Sequence, residues 1–185
     1  KNNVEIIRSE FLSKCKLGIY YKDKETITLS GQPIVWQENL QLTGDSIYAE
    51  LPGNKLQTIF VKKITAANSN ISFVISQSED EYFKDRYDQI SGNDITLKFL
   101  EDKINLIEVK ANSQSLYFLY DQKKANGLNK VLGNDIYIYF DEDKRVSKIK
   151  VDTDPVGEYV PEQILNTTSL TPPGLNLRED KPVKR

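Results

Sequence analysis

Apolar residues in this chain come in short runs of four to six, mostly alternating with polar ones and separated by Gly, Pro, Asn and Asp. The runs are Ile47–Leu51, Leu56–Val61, Ile95–Phe99, Ile104–Val109, Leu116–Tyr120, Ile136–Phe140 and Val146–Val151. Their β-branched and aromatic content, at intervals of roughly 8–12 residues, predicts an all-β protein. Helical periodicity is almost absent. The charged stretch Glu79–Gln89 reads as a loop with room for at most a helical turn.

An internal repeat organises the runs. Gly92–Lys103 (GNDITLKFLEDK) and Gly133–Lys144 (GNDIYIYFDEDK) match at eight of twelve positions without a gap. A third copy begins at Gly44 (GDSIYAELPGNK). Its Lys55, Leu56, Ile59, Val61 and Lys62 fall in register with Lys103, Ile104, Ile107, Val109 and Lys110. Each copy reads as a hairpin. A Gly-Asn-Asp or Gly-Asp-Ser opening is followed by a strand with Ile95, Leu97 and Phe99 on one face, then a polar turn. The return strand places Ile107 and Val109, Ile59 and Val61, or Ile149 and Val151 on one face. Pro52-Gly53 carries the Pro–Gly turn signature. A unit used three times predicts an elongated stack of antiparallel hairpins, each needing neighbours to bury its apolar face.

Composition sharpens this picture. Of 185 residues, 28% are charged, and the net charge is −2. Counted without Tyr and with Gly, the apolar share is roughly 37%, below the ~45–50% of ordinary domains. A thin ladder with much surface per residue fits that share. No run of eighteen apolar residues exists, so no helix of this sequence spans a membrane. The chain has no His and a single cysteine, Cys15. Ser-His-Asp catalysis, His-ligated metals and internal disulfides are therefore excluded. Near-neutral charge argues against nucleic acid. Asp141, Glu142 and Asp143, and likewise Asp152 with Asp154, lack the pattern of a calcium loop and read as solvated turns; no metal or cofactor is expected. Cys15 reads as a buried thiol. The chain contains no Met, which suggests a processed or excised product whose signal peptide lies outside it.

Two organisational units follow: a single β domain over 1–160, and a Pro-rich tail or linker over 161–185 that holds four of the seven prolines. Lys181, Lys184 and Arg185 are expected to be solvated. Ile136–Phe140 and Leu116–Tyr120 are apolar on both faces. That is consistent with strands covered on both sides or with a face lining an apolar groove.

The order of the motifs carries a family resemblance. Thr28-Leu29-Ser30-Gly31-Gln32-Pro33-Ile34-Val35-Trp36 leads to Leu42-Thr43-Gly44-Asp45-Ser46-Ile47, and Tyr87-Asp88-Gln89-Ile90-Ser91-Gly92-Asn93-Asp94-Ile95 follows. Then come Ser113–Phe118, Gly127-Leu128-Asn129, Gly133–Lys144 and Gly157–Pro161. Over roughly residues 17 to 182 this order resembles the OstA-like proteins of lipopolysaccharide transport, a group that includes LptA and the N-terminal domain of LptD. Leu170, Gly174, Arg178 and Pro182 resemble that group's closing motif, with Leu175 and Leu177 where aromatics are usual.

The resemblance implies a β-jellyroll, or β-taco, whose interior is an apolar trough for acyl chains. It also implies a non-enzymatic role in the periplasm or cell envelope of a Gram-negative bacterium. The expected partners are lipopolysaccharide or a lipid A-like lipid, and other Lpt-type proteins or further copies of the chain joined by edge-strand pairing. The trough candidates are Ile47, Ile59, Val61, Ile95, Leu97, Phe99, Ile107, Val109, Phe118, Ile136, Ile138, Phe140, Ile149 and Val151. The same residues fit an ordinary sealed core. Two other functions stay open: an envelope interaction scaffold with a sealed interior, and a carbohydrate-binding β module.

Overall fold

The computed structural model describes residues 4–9, 11–63, 72–78, 81–121, 124–165 and 177–183. Among the described residues fifteen strands form one antiparallel network: β1 (Val4–Ile7), β2 (Leu12–Cys15), β3 (Leu17–Tyr21), β4 (Thr26–Ser30), β5 (Ile34–Gln37), β6 (Leu40–Thr43), β7 (Ser46–Glu50), β8 (Thr58–Lys62), β9 (Ser72–Gln77), β10 (Tyr87–Gly92), β11 (Asp94–Leu100), β12 (Lys103–Asp121), β13 (Lys124–Phe140), β14 (Val146–Asp152) and β15 (Val156–Val160). Five of the seven apolar runs lie wholly on strands; Leu51 falls just after β7, and Leu56 and Gln57 just before β8. Ile104–Val109 and Leu116–Tyr120, which read as separate runs, belong to one 19-residue strand. The charged stretch 79–89 is a loop only in part, with a 3₁₀ turn at Glu81–Phe83 and the start of β10 at Tyr87. Among the described residues no helix is long and apolar enough to cross a membrane.

Strand pairing divides the network into two sheets. Sheet I runs β1-β2-β5-β6-β9-β10 and continues through the second half of β12 and the first half of β13 to β15. Sheet II runs β3-β4-β7-β8-β11 and continues through the first half of β12 and the second half of β13 to β14. Among the described residues the chain passes from one sheet to the other at short corners, such as Gly44–Asp45, Asn93 and Ala111–Asn112, and these form a crease. The hairpin turns lie at the far ends of the strands and form two lips.

The repeat explains how the crease is built. Gly44, Gly92 and Gly133 are the corner residues of the three copies. A Cβ at each would fall 2.6, 2.4 and 2.4 Å from Cγ1 of Val61, Val109 and Val151, respectively. The recurring Gly and the recurring Val, seventeen or eighteen residues apart, are thus one contact repeated three times. Gly92→Ala is expected to cost about 1–3 kcal/mol through overpacking, read as a fall in melting temperature. Gly157→Ala, whose Cβ would meet nothing within 4 Å, should leave the melting temperature unchanged.

The same pairs recur along each hairpin: Ile47↔Val61, Ile95↔Val109 and Ile136↔Val151. The turns differ. Glu101 and Asp102, both at positive φ, make a two-residue turn closed by Leu100↔Lys103. The copy that begins at Gly133 is one residue longer: Asp141 Oδ1 accepts the N–H groups of Asp143 and Arg145 at 2.9 Å, and Lys144 takes φ 62°. The turn carboxylate Asp141 is therefore spent on its own backbone. Asp152 pairs with Lys150 at 2.8 Å.

The segment after residue 160 makes contacts of its own. Glu162 receives a two-pronged ion pair from Arg86. Further on, Arg178 N–H donates to Gln41 Oε1 at 2.8 Å, Asp180 meets Lys14 at 3.0 Å, and Pro182 is buried. Lys181 is exposed, as expected, and from there donates to the Glu38 carbonyl at 3.3 Å. Lys184, Arg185, Leu170, Gly174 and Leu175 lie outside the described residues.

Candidate binding interior

Pairing registers assemble the inner face of sheet II residue by residue. One cross-strand row is Leu29–Ile47–Val61–Ile95–Val109–Ile136–Val151. Beside it runs Ile27–Ala49–Ile59–Leu97–Ile107–Ile138–Ile149. Seven strands give six spacings of ~4.8 Å, about 29 Å in all. That length is close to the ~30 Å hydrocarbon core of a bilayer, or two acyl chains end to end. The outer face of the same sheet is largely polar, with ion pairs Lys98–Glu108 at 2.7 Å and Lys110–Asp135 at 2.8 Å, and it also carries the Tyr48–Phe60 ring pair. This clean alternation is what made the strands readable from sequence.

Thirteen of the fourteen trough candidates face this interior. Ile47, Ile59, Val61, Ile95, Leu97, Phe99, Ile107, Val109, Ile136 and Ile138 are buried in one apolar cluster, and Phe140, Ile149 and Val151 are partly buried against it. Phe118 is the exception. Ser115 pairs with Ile90 and Val131 on the inner face, so Phe118, three residues on, points the other way. It packs beneath Arg86, whose guanidinium lies 5.0 Å from the ring centre.

The opposite wall, on sheet I, was not anticipated from sequence. Its row is Ile6–Ser13–Val35–Leu42–Val74–Ile90–Ser115–Val131–Gly157. Strand β5 is buried at all four positions, because sheet I is covered on its outer face as well. With both faces apolar, the alternation that marks a half-buried strand disappears.

The two ends of the interior differ. At the N-terminal end, the absent side chain of Gly18 makes room for Val4 and Ile6, whose carbons lie 3.4 Å from where its Cβ would be. The middle is filled: Leu42, Ile47, Val61, Leu97 and Val109 have no measurable exposure. Toward the C-terminal end, Ser115, Val131 and Gly157 make the sheet I wall low. Among the described residues nothing lies within 4 Å of a Cβ built at Gly157, Val156 and Tyr159 beside it are at least half exposed, and Val151 and Ile149 opposite are only partly buried. Among the described residues the interior is a filled ladder with a mouth at β13–β15.

One carboxylate stands on the inner face of sheet I. Asp88 is two residues before Ile90 in β10 and accepts the Phe118 N–H at 2.8 Å. Burial pushes its pKa up to about 6, with the Phe118 hydrogen bond acting against the rise. The folded state therefore holds this proton more tightly than the unfolded chain does. Stability from this group is full below pH ~4 and falls as pH rises toward 6. Asp88→Asn keeps the acceptor and is expected to raise stability at pH 7 by about 1–3 kcal/mol and to flatten the melting temperature between pH 4.5 and 7. Melting curves at stepped pH check this.

Chemistry outside the interior is sparse. A shallow cleft of about 270 Å³ lies on the outer face of sheet I, between Trp36, Gln41, Ile75 and the segment carrying Leu177 and Arg178. Trp36 is only 6% exposed, so its ring offers no stacking platform for a sugar. The Cys15 thiol is buried, and burial raises its pKa.

These features define a folded-over antiparallel β-jellyroll, creased along one side, apolar inside and open at one end. Nine chains of solved structures match it. One is the crystal structure of LptH, described as the LptA homologous periplasmic component of the conserved lipopolysaccharide transport device from Pseudomonas aeruginosa. The TM-score is 0.57 at 11% sequence identity, over 81% of this chain and 93% of that one. The likeness establishes the fold as the OstA-like architecture the sequence resembles. No protein-family model and no curated protein matches the chain.

Proposed function

We propose that this chain is a non-enzymatic module of lipopolysaccharide transport in the periplasm of a Gram-negative bacterium, holding or conducting acyl chains between its two sheets. The observation that carries the reading is the pair of seven-residue apolar rows leading to a mouth at Gly157. Each methylene withdrawn from water contributes about 0.8 kcal/mol, so an acyl chain needs an oily channel and no catalytic group. The LptH fold supports the reading, since that protein is a periplasmic component of lipopolysaccharide transport. Lipopolysaccharide or a lipid A-like lipid is the ligand. Other Lpt-type proteins, or further copies of the chain, pair along the edge strands. The edge strand β3 suits such pairing, because Leu17, Ile19, Tyr20 and Tyr21 are exposed on it.

The filled middle favours a second reading, a scaffold of the same fold with a sealed core. Titration with lipid A and with its de-acylated saccharide separates the two. Saturable binding of lipid A alone supports the lipid module. Binding of neither, or of both equally, overturns it.

A further inference from the structure

We infer that the interior opens along its lips and that the Glu38–Lys144 ion pair is the clasp of that seam, an inference that rests on the lipid reading only for its purpose. Glu38 sits in the β5–β6 turn, on the lip of sheet I. Lys144 sits in the β13–β14 turn, on the lip of sheet II. They are 106 residues apart in sequence, yet Lys144 Nζ donates to both carboxylate oxygens of Glu38, at 2.6 and 2.7 Å. Arg8 Nη2, on the β1–β2 turn, reaches Asn54 Oδ1 at 3.3 Å on the turn after β7, giving a second and longer bridge between the lips.

The seam and the crease are built differently. Along the crease, backbone runs continuously from sheet to sheet, and glycines press against valine methyls. These two bridges are polar and exposed, with Lys144 and Glu38 side chains 39% and 44% accessible. Exposed pairs of this kind contribute little and are weakened by salt. Parting the lips is thus the cheapest way to reach residues with no exposure in the resting fold. Glu38 is also tied from behind, since its carbonyl accepts Lys181 from the C-terminal segment. That contact fixes the turn that presents the carboxylate.

The clasp is tested in the full chain without any lipid. Leu40→Cys, in a Cys15→Ala background, places a thiol in the interior cluster two residues from Glu38. Its modification rate by a thiol reagent reads lip opening. Glu38→Lys and Lys144→Glu should each speed labelling about two- to fivefold, the shift an exposed ion pair can drive. The double exchange should return the rate to that of the parent. Unchanged labelling in the single variants, or a double exchange as fast as the singles, overturns the clasp. Uptake of dodecanoic acid carrying a fluorescent group, measured on the same proteins, reports separately on the lipid reading. Labelling that follows the clasp while no variant takes up the probe leaves the clasp standing and removes the lipid.

Discussion

Val109→Asp is expected to unfold the protein at room temperature. Val109 has no exposure, and its cross-strand neighbours are Ile95 and Ile136. One of its methyls also fills the space left by Gly92 at the crease. An aspartate there finds no cation within the row and must be buried unpaired or neutralised. Burying an unpaired charge is among the few changes that cost more than about 4–5 kcal/mol, a large part of the ~5–15 kcal/mol that holds a domain together. The adjacent residue gives the control. Glu108 points outward to Lys98, and Glu108→Ala should change stability by less than about 1 kcal/mol. Circular dichroism and a denaturant titration of the two variants would read the difference. Equal stability would mean that the alternation along β12 is assigned to the wrong face.

The second large effect concerns ligand rather than stability. Gly157→Phe should fold normally, because a side chain at this position enters open space. It should also plug the mouth between Val131 and the Ile149–Val151 wall. Lipid A affinity is expected to fall at least about tenfold, equal to about 1.4 kcal/mol, with the melting temperature within a degree or two of the parent. Isothermal titration beside a thermal melt measures both. A plugged variant that binds as tightly as the parent would place the entry elsewhere.

Half of this architecture was legible in the sequence, and the reason is physical. Sheet II buries one face only, so Ile95, Leu97, Ile107 and Val109 alternate with Thr96, Lys98 and Glu108, and a period of two names the inward set. The hairpin repeat added register, because the same Ile–Val pairs close each copy. Sheet I buries both faces. Ile34, Val35 and Trp36 are consecutive and all buried, and pattern alone assigns none of them to a side. Phe118 was misplaced for a related reason. Leu116–Tyr120 is apolar throughout, and its facing is set by continuity with Val109 through the bulge at Ala111 and Asn112, both at positive φ. Because β12 spends two residues there, Ser113 and Ser115 stay on the inward side with Val109. Gly157 carried no signal in the sequence, since what matters at that position is the empty space in front of it.

Contact between the inward rows and acyl chains is read by site-specific photo-crosslinking along β13. A photoreactive residue would be placed in turn at Asp135, Ile136, Tyr137 and Ile138, and each protein irradiated with lipopolysaccharide. Adducts are expected at Ile136 and Ile138, which face the interior, and none at Asp135 and Tyr137, which face outward with Lys110. Adducts at the outward positions with none at the inward pair would contradict it.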